Sequence, residues 1–142
     1  MKRPLPTSPA RSALMGRVRQ AQTAAELEIA RTLRAQGAAY RKNVKGLAGS
    51  PDFANRERRW AVFVNGCFWH QHTGCPRATV PKANNAFWLE KFTANRARDA
   101  RAVRVLRRSG FRVAIVWECQ VGAAGAKLRR LLEAASTPAR DP

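Results

Sequence analysis

Both histidines and two of the three cysteines fall within eleven residues, NGCFWHQHTGC, numbered 65–75. Cys67, His72 and Cys75 place two thiols and an imidazole in the order Cys-x4-His-x2-Cys. The remaining thiol, Cys119, follows the apolar run FRVAIVW at 111–117. It joins the group if that run and WAVFV at 60–64 are parallel neighbours in one sheet, because both then end at the same edge. Cys3His is a closed tetrahedral zinc set with no position left for substrate, so such a zinc is structural and pins a loop without a core of its own. The competing reading is three unrelated buried cysteines. His70 is left over. At the end of a strand, on a loop held by metal, it is placed for acid–base chemistry. It can equally be a surface histidine or an alternative zinc ligand.

Carboxylates are scarce: nine in all, with aspartate only at Asp52, Asp99 and Asp141. Asp52 follows Pro51 and opens a strand that leads through a turn to WAVFV. Pro-Asp before a hairpin and a central strand is the pattern of the metal-binding Asp in PD-(D/E)xK nucleases, and it is also a common turn. The acidic-x-Lys half of that pattern is missing, since the next strand runs on as FVNGC. A base would have to come from elsewhere, and His70 lies just beyond that strand.

The elements that must position these groups follow from periodicity. Thr23-Ala-Ala-Glu26 fits a capping box, which starts a helix near Thr23, with Gly37 as its C′ residue. Ile29, Ala30 and Leu33 form its apolar stripe. Glu26 shares that face, either turned inward or capping the helix. Strands are expected at Tyr40–Asn43, from Pro51-Asp52-Phe53, and at 60–64, separated by the loop Gly46–Ser50 and the turn Asn55–Arg59. A long helix from Asn85 to Arg108, closed by Ser109-Gly110, turns Phe92, Ala102, Val103 and Leu106 inward, with Asn95 and Asp99 on the same stripe. A strand at 111–117 and a helix at Ala124–Ala135 complete the order α-β-β-β-α-β-α, a mixed α/β sheet flanked by helices. Residues 1–20 read as a flexible basic arm, 21–136 as one domain and 137–142 as a short tail.

Charge points to the partner. Lys+Arg is 27 against 9 Asp+Glu, a net +18, and most of the excess is arginine, which suits bidentate phosphate contacts. That field favours a polyanion, most simply nucleic acid, over a membrane surface or a ribosome-like role. An apolar content of 45% excludes a disordered composition, and no apolar run approaches a membrane span. The basic N-terminus lacks the apolar stretch of a secretory signal, so a cytoplasmic, nucleoid-associated location is expected.

Six blocks in fixed order carry a resemblance: RSALM (11–15), TAAE (23–26), PDF (51–53), FVNGCFWHQHTGC (63–75), FWLEKFTANRARD (87–99) and FRVAIVWEC (111–119). From about Arg11 to about Leu132 the chain resembles the Vsr family, the very-short-patch-repair DNA mismatch endonucleases. The resemblance implies a restriction-endonuclease-like α/β fold with a structural zinc. It also implies a Mg2+-dependent, monomeric enzyme that nicks one strand of duplex DNA 5′ to the thymine of a T·G mismatch. By matching position, Asp52 would bind Mg2+ with the backbone carbonyl of Val64 assisting, His70 would be the general base, Asp99 would support it, and Glu26 would lie near the site. Cys67, His72, Cys75 and Cys119 would hold zinc. Phe68, Trp69 and Trp88 match aromatics that wedge into the base stack, Met15 matches a minor-groove wedge, and Lys91 and Asn95 match positions beside the mismatched pair. Core packing of the knot is the alternative for Phe68 and Trp69, and the first apolar position of a helix is the alternative for Trp88. Asn65 stands where many members carry a catalytic His. That departure and the high charge leave two further readings: a related nuclease with little mismatch preference acting in restriction or defence, and a non-catalytic zinc-stabilised DNA-binding module.

Overall fold

The computed structural model of the protein describes residues 9–136; the first part of the expected arm and the tail at 137–142 lie outside the described residues. The elements are α1 (Pro9–Ala35), β1 (Arg41–Lys42), β2 (Phe53–Asn55), β3 (Trp60–Asn65), α2 (Asn85–Arg108), β4 (Arg112–Trp117), a 3-10 turn (Glu118–Ala123) and α3 (Gly125–Ser136). The strands form one sheet in the order β1-β2-β3-β4. The first three are antiparallel. β3 and β4 are parallel, with Trp60 opposite Arg112 and Asn65 opposite Trp117.

WAVFVN contains no charge and is rich in β-branched and aromatic residues, so β3 suits a strand covered on both faces. Its alternating side chains separate two cores. Trp60, Val62 and Val64 pack with Ile29 and Leu33 of α1 and Leu128 of α3. Ala61 and Phe63 pack with Leu106 of α2 on the other face. The result is three layers, with α1 and α3 on one side of the sheet and α2 on the other. Phe53 and Trp60 are almost fully buried, and each contributes roughly 1.5–3 kcal/mol through its burial.

Ile29, Ala30 and Leu33 are buried as their spacing predicts, and Glu26 is half-buried beside them. The expected start of that helix at Thr23 is corrected. α1 begins at Pro9, so Thr23 lies within the helix and residues 9–20 of the expected arm are helical. A capping box works only where the chain before it is not helical. Here the upstream residues are mostly good helix formers, and Pro9 occupies the first position, where its fixed φ and missing N–H are tolerated. α2 spans the expected residues, closes on Gly110 at φ +86, and buries Trp88, Phe92, Ala102 and Leu106. β1 is shorter than Tyr40–Asn43, and the 3-10 turn after β4 has no counterpart in the periodicity. Among the described residues, no helix is long and apolar enough to cross a membrane.

Candidate active site and metal centre

The parallel register sets the metal centre. Asn65 and Trp117 are partners at the ends of β3 and β4, so Cys67 and Cys119, each two residues further on, arrive side by side. Tight turns bring the other two ligands back. The His72 N–H donates to the Cys67 carbonyl at 3.0 Å, and the Cys75 N–H donates to the His72 carbonyl at 3.1 Å. The ligand atoms of Cys67, His72, Cys75 and Cys119 all lie within 4.8 Å of one another. Nδ1 of His72 is 3.7 Å from Sγ of Cys67 and 3.4 Å from Sγ of Cys119. Ordinary Zn–S and Zn–N bonds at a tetrahedral angle place sulfur and nitrogen about 3.6 Å apart. The two His72–thiol distances match that spacing, and the cluster as a whole is tight enough that it can hold a metal ion. Burial pushes the Cys67 thiol up to about 12, while the Arg77 backbone N–H lowers Cys75. A buried thiol of that kind becomes a thiolate readily only beside a cation, which suits the cluster to a metal ion.

The second constellation lies on the same sheet edge. Oδ2 of Asp52 accepts the Val64 N–H at 2.7 Å, which ties the start of β2 to the end of β3. Glu26 of α1 meets Asp52 there. Burial raises both carboxyls. The charge of Asp52 raises Glu26 further and Lys42 opposes it, while the Val64 N–H, Glu26 and His70 partly offset the rise at Asp52. Two carboxylates in one desolvated place are a hard, oxygen-rich site. Nδ1 of His70 lies 2.5 Å from Oδ2 of Asp99, joining the knot loop to α2. The carboxylate assigns the proton to Nδ1, so Nε2 is the basic nitrogen. Asn65 is 7% exposed and, with Trp69, His70, Asn95, Arg98 and Asp99, lines a cleft of about 350 Å³ between the sheet and α2.

The aromatic residues form a small core of their own. Phe68 and Trp88 are 3% and 4% exposed and pack with Phe92, while Met15, Trp69 and Phe87 cover the cluster. Phe68 meets Trp69, Trp88 and Phe92 edge-on at 5.3, 5.6 and 5.3 Å between ring centres. Packing of the knot is thus a role these rings fill in the DNA-free protein, with Trp69 at the rim. Nδ2 of Asn95 donates to the Trp69 carbonyl at 3.1 Å, and Lys91 is half-buried on the same helix.

Three further residues position the site without having been singled out by spacing. Trp117 stacks flat on His72, with ring centres 4.1 Å apart and planes 7° apart, and meets His70 edge-on at 6.4 Å. Glu118, 8% exposed, accepts the Cys67 N–H at 3.0 Å. Arg96 donates to the Gln71 carbonyl at 2.5 Å, so α2 grips the loop on both sides of His70. The visible signal was Trp-Glu-Cys at the end of β4, where two large polar-tipped residues precede a metal ligand.

A family model described as "DNA mismatch endonuclease Vsr" matches residues 6–77. The chain is 42% identical over 123 residues to "Type II nicking enzyme V.XorIIP" of Xanthomonas oryzae pv. oryzae, covering 84% of this chain and 90% of that protein. It is 39% identical over 115 residues to "Type II nicking enzyme V.NmeAIP" of Neisseria meningitidis serogroup A, covering 81% of each. It is 43% identical over 109 residues to "DNA mismatch endonuclease Vsr" of Escherichia coli K12, covering 77% of this chain and 69% of that protein.

Proposed function

The chain belongs to the Vsr family of DNA endonucleases, and from that premise we propose that it nicks one strand of duplex DNA 5′ to the thymine of a T·G mismatch. On this reading the fold is restriction-endonuclease-like, Mg2+ is held at Asp52, and zinc closes the knot. The enzyme acts as a monomer in the cytoplasm, at the nucleoid. The observation that carries the reading is the His70–Asp99 pair at 2.5 Å, on the same sheet edge as the Asp52–Glu26 carboxylates. A base and a hard-cation site at one edge are what metal-assisted hydrolysis of a phosphodiester requires.

The donor sets suit the two metals. Mg2+ binds through one or two carboxylates and keeps several waters, which fits Asp52 with Glu26 and a backbone carbonyl such as that of Val64. Cys3His is soft and closed, which fits structural zinc. A Mg2+ ion held by Asp52 and Glu26 would supply charge neutralisation at the phosphoryl oxygens. Nε2 of His70 takes the proton of the attacking water, and Asp99 orients the ring and stabilises the imidazolium. Asn65, in the cleft beside them, hydrogen-bonds the reacting groups without the proton transfer a His would provide there. Trp69 at the rim, Phe68 and Trp88 beneath it, and Met15 from α1 supply the wedge. Because Phe68 and Trp88 are buried, the aromatic cluster opens as DNA binds. Unstacking costs a few kcal/mol per step, less at a mispaired base, so insertion favours the mismatch. Lys91 and Asn95 lie on the helix that flanks this rim and address the mispaired bases.

A panel of mismatched and matched duplexes, incubated with Mg2+ and mapped on each strand, tests the reading. Nicking confined to the thymine strand of T·G duplexes is expected. Equal nicking of matched DNA replaces it with the second reading, a nuclease of low mismatch preference, which the +18 charge and Asn65 favour. No nick on any duplex, from folded protein with its knot filled, rejects both and leaves a DNA-binding module.

A further inference from the structure

Opposite the catalytic edge, the sheet ends in two turns that carry arginine almost without compensation. The β2–β3 turn contributes Arg58 and Arg59, and the α2–β4 turn contributes Arg107, Arg108 and Arg112. The fold brings these turns together. The Arg112 N–H donates to the Arg59 carbonyl at 2.8 Å, and a Cβ on Gly110 would lie 3.1 Å from Nη1 of Arg59. All five arginines are exposed. The one acid in either turn, Glu57, forms no ion pair with them among the described residues. Arg107 and Arg108 lie in the last turn of α2, where cations favour the helix dipole. Arg58, Arg59 and Arg112 have no such explanation. Five like charges crowd here against one acid that pairs with none of them, which is the footprint of a phosphate-binding surface.

We propose that this arginine pole is a second duplex-binding surface, which holds one DNA segment while the catalytic edge engages another. The two surfaces lie at opposite ends of β3, whose six residues put roughly 17 Å between them at about 3.3 Å per residue. A duplex laid across the catalytic edge at right angles to β3 reaches the pole only by bending around the sheet, at a deformation cost that a separate segment does not carry. Contacts from exposed arginines to the backbone carry no base information, so the second segment is bound without regard to sequence. The proposal does not rest on the nicking reading.

The test is a bridging assay without Mg2+. A matched duplex is immobilised on beads, full-length protein is added, and capture of a labelled second duplex is measured. Capture by the native chain is expected. The variant Arg58→Gln/Arg107→Gln/Arg112→Gln should lose most of it, at least tenfold, while the corresponding Lys variant retains it. The salt slope of second-duplex capture should also fall, by about 0.9 for each phosphate no longer neutralised. A control removes the same charge elsewhere, with Arg31, Arg129 and Arg130 changed to Gln, and should leave capture intact. Absence of bridging by the native chain overturns the proposal, as does equal loss in the control, which would assign the effect to net charge. Pole-dependent binding to phosphatidylglycerol vesicles with no duplex bridging overturns it in favour of a membrane surface. Loss of binding to a single short duplex in the pole variant, with circular dichroism unchanged, also overturns it, because one duplex then spans both ends.

Discussion

His70 lies between two metal ligands in sequence, Cys67 and His72, yet belongs to a different site, and the contrast between those sites explains the loop. The knot gathers three thiols and an imidazole whose donor atoms lie within 4.8 Å of one another, a four-ligand set with no position open. The catalytic edge gathers carboxylates and an imidazole joined in pairs, and it opens onto a cleft. The first offers soft donors in a closed set; the second offers hard donors that open onto a cleft and are desolvated at an electrostatic cost. One loop serves both because the aromatic core of Phe68, Trp88 and Phe92, the bonds from Asn95 and Arg96, and the cysteine cluster together hold the backbone around His70.

The largest effect should come from breaking the knot. Cys119→Ser, or removal of the metal with a strong chelator, is expected to lower the melting temperature by about 10 °C or more, given the energies of structural zinc sites. Nicking should disappear with it. Calorimetry together with metal content checks this, and a variant that lacks metal yet melts normally would detach the knot from folding.

Breaking the edge should do the reverse. Asp52→Asn is expected to reduce nicking on the order of 10³-fold while leaving duplex binding in place. Its stability should rise at neutral pH when no Mg2+ is present. Burial raises the native Asp52 and Glu26 carboxyls, so the folded chain holds those protons to higher pH than the unfolded chain. Stability from these groups is present below the ordinary carboxylate range and is lost as pH rises through the raised native values. Asn removes that loss. Melting curves across pH read it, and a fall in stability would show that the carboxylate is a structural asset. The same shift sets the acid limb of nicking above the ordinary carboxylate range, and saturating Mg2+ should move that limb lower.

A smaller loss distinguishes base from support. His70→Ala should cost about 10²-fold in single-turnover rate, and Asp99→Asn less, about tenfold, with the knot still filled. Equal losses would mean the pair acts only as a unit. The smallest effect is a gain. Asn65→His places a titratable ring in the cleft and should raise the rate by up to about tenfold, with a new inflection near neutral pH. No change in rate or profile would mean that Asn65 already does what the reaction needs there.

Much of this was legible from local pattern. The spacing in α2 put Phe92, Ala102, Val103 and Leu106 inside with Asn95 and Asp99 on the same stripe; Phe92, Ala102 and Leu106 are buried, while Val103, Asn95 and Asp99 are half-buried. The capping box at Thr23 misled because a local signal for a helix start is overridden when the residues before it continue the helix. Trp117 and Glu118 were hidden because their roles are toward Cys67, His70 and His72, about fifty residues away in the chain. No periodicity reports a contact at that separation.

By itself the amino-acid order determined the donor types, the polyanion partner, the two apolar strands, of which β3 is the buried one, and the faces of the helices. Each of these depends on residue chemistry or on neighbours within a turn or two. Tertiary structure alone decided that β3 and β4 run parallel in a register that delivers Cys119 to Cys67. It also decided that Glu26 meets Asp52, that His70 meets Asp99, and that Phe68 and Trp88 are packed away without DNA. The reason is physical: strand register and helix docking are set by the packing of whole faces, and a slip of one residue would send every one of these side chains elsewhere.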